Sequence, residues 1–157
     1  MSNAADLYEK PFIREATYWD VVKLALTMRR EDVDEIWHSS RKNPTQALLD
    51  GFECGETWAI ERQGRTVAMF GISGKPGSHG CPWMLGSPEI SRCKSLLREC
   101  ILTLDGFLEN YKSLSNSVWS KNLVHINWIK WLGFNFKGES TRNGETFLYF
   151  HKEYQNV

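Results

Sequence analysis

The chain has 157 residues, of which 41% are apolar, 13% aromatic and 24% charged. That is one ordinary domain with enough apolar material for a core of its own, and it excludes a wholly disordered chain. Lys and Arg together number 19, as do Asp and Glu, so no net field draws nucleic acid or an anionic membrane. No apolar run reaches bilayer-spanning length, and Met1–Asp6 lacks the basic and apolar segments of a signal peptide. Cys54, Cys81, Cys93 and Cys100 show no C-x-x-C spacing and read as buried free thiols. Residues 1–10 read as a flexible N-terminus and 11–157 as a single domain.

In chain order, Phe12–Thr17 reads as a short strand and Asp20 as the cap of a helix carrying Val21, Leu24, Ala25 and Met28. Arg29–Trp37 is charged with sparse apolar anchors, a half-exposed continuation or a second short helix. Asn43-Pro44-Thr45-Gln46 is a helix start: Asn as N-cap, Pro at the first position, Gln as capping-box partner. Thr57–Glu61 and Thr66–Ile72 flank Gln63-Gly64 as a hairpin, and Gly71–Gly80 reads as a mobile loop. Cys81–Leu85 is a nearly all-apolar strand and therefore central.

A long helix follows over Glu89–Tyr111, with Leu97, Ile101, Leu104, Leu108 and Tyr111 forming one stripe. Asn116–Ser120 is a fifth strand. Asn122 then caps a helix with Leu123, Ile126 and Ile129, which Gly133 closes. Phe134–Glu139 and Thr146–His151 form a last hairpin around Asn143-Gly144. The order is β-α-α-β-β-β-α-β-α-β-β, an α/β (α+β) arrangement without repeats or linkers.

Two stretches carry a resemblance beyond that order. One is Ile13-Arg14-Glu15-Ala16-Thr17 with Asp20. The other is the run from Asn122 to Phe134, where Asn opens a helix and Leu132-Gly133-Phe134 closes it, the Gly eleven residues after the Asn. Both resemble GNAT acetyltransferase domains, which implies a mixed, mostly antiparallel sheet flanked by helices. Asn116-Ser117-Val118-Trp119, Asn122, His125-Ile126, Lys130, Gly133 and Thr141–Gly144 are also similar to the small internal virion protein of short-tailed coliphages, a GNAT-like family. That likeness implies a phage-encoded chain, in host cytoplasm or virion, with other virion proteins as partners.

The GNAT resemblance implies acetyl-CoA in a splay between strands four and five, opening near Leu85 and Trp119. Strand four would pair with the pantetheine arm, and amides of the next loop would cradle the pyrophosphate at a helix start. Leu85, Gly86, Ser91, Arg92 and Asn122 are the implied cofactor-binding residues, with the Ile90, Ser91 and Arg92 amides converging on one point. The loop Gly86–Lys94 departs from the family's basic, glycine-rich pattern and carries an acidic Glu89. The tyrosine that many GNAT enzymes place seven residues after the Asn is Ile129 here, which has no exchangeable proton. His125 is then the candidate base or donor for transfer to an amine of a small molecule or protein. His79, Glu53 and Glu56 are secondary candidates.

No G-x-S-x-G, H-E-x-x-H or P-loop motif competes, and His38 and His151 lack partners at metal-ligand spacing, so no metal is implied. Trp119, Trp128 and Trp131 with Lys121 and Lys130 outline a stacking surface, but neutral net charge argues against nucleic acid. Two readings stand: an acetyl-CoA-dependent N-acetyltransferase, and a non-catalytic phage internal virion or assembly protein that reuses the fold.

Overall fold

The computed structural model describes residues 10–153, so the nine residues before them, and with them most of the expected N-terminal tail, lie outside the described part. Seven strands form one sheet in the order β1-β2-β3-β4-β5-β7-β6: β1 Phe12–Glu15, β2 Thr57–Arg62, β3 Arg65–Ser73, β4 His79–Gly86, β5 Ser113–Trp119, β6 Asn135–Arg142 and β7 Glu145–Glu153. All neighbours are antiparallel except β4 and β5, which run parallel. The tight turns lie where the sequence places them. Gln63-Gly64 and Asn143-Gly144 both have positive φ, the backbone twist a two-residue hairpin needs.

Three helices, not two, separate β1 from β2: α1 Tyr18–Thr27, α2 Arg30–Ser40 and α3 Pro44–Glu53. The break falls at Met28 and Arg29, both extended, because the Arg29 amide leaves the helix to donate to the Gly86 carbonyl at 2.9 Å. No Pro or Gly marks that break. Asp20 is not the cap of α1. Thr17 holds that position, and Asp20, a turn inside, accepts from the Thr17 amide at 2.8 Å. Asn43 and Gln46 do form the expected reciprocal cap of α3.

The long helix also begins later than expected. Two 3-10 turns, Pro88–Arg92 and Lys94–Leu96, precede α4 Leu97–Asn110. The final helix is α5 Leu123–Trp131, closed by Gly133 at φ 88°. Strand β3 is buried along nearly its whole length. One core joins α1–α3 to the sheet through Val21, Leu24, Ile36, Leu48, Ala59, Met69 and Leu85. Two adjoining clusters join α4 and α5 to it through residues such as Ile60, Phe70, Cys100, Leu104, Ile126 and Trp128. The result is a sheet packed between two helical layers. Cys93 and Cys100 are buried free thiols as expected, Cys81 is half-buried, and Cys54 is exposed. No described helix is long and apolar enough to cross a membrane.

Candidate functional site

Strands β4 and β5 pair only at His79–Ser113 and Gly80–Leu114, then diverge toward Gly86 and Trp119. The splay lies between the strands that the GNAT resemblance implies, but it opens earlier than Leu85 and Trp119, directly beyond Gly80 and Leu114. Within it lies a cavity of about 310 Å³ that reaches from α2 and α3 on one side to α4 and α5 on the other, with Glu35, Trp83, Leu85, Asn116, His125 and Ile129 among its walls. Trp83 crosses a narrow place: a Cβ on Gly51 would lie 2.6 Å from its ring. The Asn116 amide spans the mouth of the splay, donating to the Pro82 carbonyl at 2.8 Å.

The far end is closed by α2. Alternate residues of a strand direct their backbone groups to opposite neighbours, and Ser87 faces β3 through its 2.8 Å bond to Val67. Gly86 therefore faces the splay. Its amide donates to Asp32 Oδ2 at 2.8 Å, and its carbonyl accepts from Arg29. On the opposite bank the Trp119 amide donates to Glu35 Oε1 at 2.7 Å. Asp32 and Glu35 sit three residues apart on one helix, the spacing that puts both carboxylates on one face. One grips the end of β4 and the other the end of β5.

Asn122 and His125 join this cluster from the start of α5. Asn122 makes no side-chain cap, contrary to expectation. It is fully buried, donates to Asp32 Oδ1 at 2.9 Å and accepts from Arg29. Arg29 also donates to Asp32 at 2.8 Å, so a guanidinium, a carboxylate and an amide pair with one another out of water, while Arg29 Nε has no hydrogen-bond partner among the described residues. His125 Nδ1 lies 3.6 Å from Asp32 and 3.9 Å from Glu35. Its Nε2 has no hydrogen-bond partner among the described residues, nor have the indole nitrogens of Trp83 and Trp128, which also line the cavity.

Burial sets the ionisation here. Desolvation, assisted by the Asp32 charge, pushes the Glu35 carboxyl up to about 8. Desolvation holds the His125 imidazole below its ordinary value, outweighing the opposing pull of Asp32. Both groups are therefore neutral near pH 7. Burial also pushes the Cys100 thiol to about 12, which removes it as a nucleophile. The donor atoms of Asp32, Glu35 and His125 lie within 4.8 Å of one another. Cation-holding chemistry does not suit them, because Arg29 already supplies the positive charge at Asp32.

The remaining implied residues stand apart. Ser91 and Arg92 are exposed on the first 3-10 turn, Ser91 donating to the Pro88 carbonyl at 3.2 Å. The Ile90 amide donates to Ser87 at 3.1 Å, so the expected convergence of three free amides is not formed. Glu89 is paired with Arg65 at 2.7 Å and Arg62 at 3.3 Å, and Lys94 lies over the Trp131 ring. His79 is not in a loop at the mouth. It is the first residue of β4, contacts Ser113, and sits at the paired end, away from the divergence. Sequence reasoning missed Arg29, Asp32 and Glu35. The available signal was acidic residues sharing a helical face with the buried Ile36.

Among solved structures, an acetyltransferase of the GNAT family from Streptococcus pneumoniae superimposes with a TM-score of 0.63 at 15% identity, covering 92% of this chain and 99% of that one. The fold is that of the GNAT acetyltransferases. Ribosomal-protein-S5-alanine acetyltransferase from Vibrio fischeri shares this GNAT fold with a TM-score of 0.67 at 18% identity, over 92% of this chain and 93% of that one. AAC(6')-Ib in complex with ribostamycin and coenzyme A does so with a TM-score of 0.62 at 16% identity, over 92% and 93%. No protein-family model matches the chain. Among curated proteins, the probable scaffold protein gp13 of Escherichia phage T7 is 33% identical over 93 residues. That match covers 54% of this chain and 66% of the phage protein, somewhat less than two thirds of its length.

Proposed function

We propose that this chain is a phage assembly protein that uses the GNAT fold as a structural module, without acetyl transfer. The observation that carries this reading is the closure of the splay by α2. Gly86 offers the strand-four amide and carbonyl that a pantetheine arm would pair with, and both are taken, by Asp32 and Arg29. Displacing them leaves the buried Asp32 carboxylate and the Arg29 backbone amide each short of a partner, which costs several kcal/mol. The phosphate end fits no better, since the Ile90 amide is committed to a 3-10 turn and Ile129 stands in the position of the usual acid. Acetyl-CoA thus does not suit the residues along the slot. The likeness to a probable scaffold protein of phage T7 over part of the chain supports the assembly role.

Titration calorimetry with acetyl-CoA tests the first half: no heat of binding is expected at millimolar ligand, and submicromolar binding with thiol release in the presence of amines would defeat the reading. For the second half, the chain supplied to T7 lacking gp13 should cofractionate with particles. Asp32→Asn and Glu35→Gln variants that still fold should do so equally.

A second reading keeps acetyl-CoA binding and transfer to an amine, through Leu85, Gly86, Ser91, Arg92 and Asn122 with His125 as proton acceptor. What favours it is the cavity itself, lined by His125, Trp83 and Trp128, whose buried ring nitrogens His125 Nε2, Trp83 Nε1 and Trp128 Nε1 have no hydrogen-bond partner among the described residues. It requires α2 to release Gly86. Acetyl-CoA raising the melting temperature of the wild type, and by more in an Asp32→Ala variant, would support this reading over the first.

A further inference from the structure

Helix α1 is apolar on both faces. Val21 and Leu24 are buried under it, while Trp19, Val22 and Leu26 are 72%, 50% and 83% exposed on the outside. Tyr18 stands beside them, its ring 4.5 Å from Phe52, and Lys23 is the single charge on the exposed face. A helix apolar all round belongs inside a larger core, so this one is incomplete in the single chain. We infer that two copies of the chain pair through α1, antiparallel about a two-fold axis near Val22.

Three observations choose a second copy as the occupant. The spacing of Trp19, Val22 and Leu26 is close to symmetric about Val22, so an antiparallel copy sets each Trp19 over the other's Leu26 and the two Val22 side chains together. That is the self-complementarity an isologous interface requires. Next to Leu26 lies a groove of about 500 Å³ walled by Lys23, Thr27, Arg65, Pro88 and Glu89, room enough for the indole of the opposing Trp19. An aromatic anchor in a pocket is the usual seat of interface energy. Finally, the four exposed side chains present on the order of 500 Å² per copy. Two copies then cover on the order of 1,000 Å², the lower bound of a specific interface. The inference is independent of whether the splay holds a ligand.

Sedimentation equilibrium of the full chain tests it, with a dimer expected at micromolar concentration. Leu26→Glu should weaken the dimer at least tenfold at unchanged melting temperature of the monomer, since that side chain is almost wholly exposed. Val22→Cys in a Cys54→Ser background should form a covalent dimer on mild oxidation, a readout that does not depend on how Leu26→Glu folds. A monomeric wild type overturns the inference. So does a dimer untouched by Leu26→Glu, or one in which Val22→Cys never cross-links.

Discussion

Asn122 shows how much one side chain can differ from its local reading. An Asn before a helix is ordinarily a cap, and its loss costs about 1 kcal/mol. Here its oxygen accepts from Arg29 and its nitrogen donates to Asp32, both nearly inaccessible. Asn122→Ala leaves a buried guanidinium and carboxylate each short of a partner, so the expected cost is about 2–3 kcal/mol. It is read as a lower denaturation midpoint at unchanged slope; a loss of only about 1 kcal/mol would return Asn122 to capping. Asp20 is a parallel case. Burial alone would raise its carboxyl, but the Arg14 fork at 2.7 and 2.8 Å, the Thr66 hydroxyl at 2.6 Å and the Thr17 amide win, and hold it well below the usual carboxylate range. A depressed acid contributes stability above its unfolded pKa, which is lost as pH falls through the folded one. Asp20→Asn should therefore cost about 3 kcal/mol at neutral pH, and the deficit should shrink on acidification below the ordinary carboxylate range.

Elements were legible wherever the signal is local. Asn43-Pro44 with Gln46 starts α3, Asn143-Gly144 turns β6 into β7, and Gly133 ends α5, because caps and positive-φ turns depend on neighbours in sequence. The break between α1 and α2 was not, since its cause is a bond from Arg29 to Gly86 on another strand. The start of α4 at Leu97 was hidden for the same reason: Glu89, read as helical, is held to the β2–β3 hairpin by Arg62 and Arg65. Helix α3 carries a further tertiary override at Gly51. In an exposed helix Gly→Ala gains up to about 1 kcal/mol. At Gly51 the new methyl would sit 2.6 Å from the Trp83 ring, with further ring atoms at 2.7 and 3.0 Å. Gly51→Ala is expected to reverse that sign and cost about 1–3 kcal/mol, measured by thermal melting. A stabilised variant would mean that Trp83 swings freely into the cavity.

Over the whole molecule, the splay was legible because the resemblance to GNAT domains implies it, but its closure was not. Asp32 meets Gly86 across 54 positions of sequence and Asn122 across 90, and only the folded sheet brings α2 between the strand ends. That placement also sets how stability depends on pH. Glu35 is held at about 8 by burial and by Asp32, against about 4.3 in an unfolded chain. Between those values the folded state holds a proton that the unfolded state has released, so stability falls as pH rises, by up to about 1.4 kcal/mol per unit. His125, kept neutral by burial, acts in the opposite sense below its ordinary pKa, so the loss from Glu35 is seen most cleanly from pH 6.5 upward. Glu35→Gln keeps an oxygen for the Trp119 amide and removes the titration. The variant should match the wild type near pH 4.5, gain on it steadily to pH 8, and hold a constant advantage above that. Melting temperatures of the two proteins across that range decide the matter. Parallel curves would mean that Glu35 is ionised throughout, with water reaching its carboxylate through the cavity.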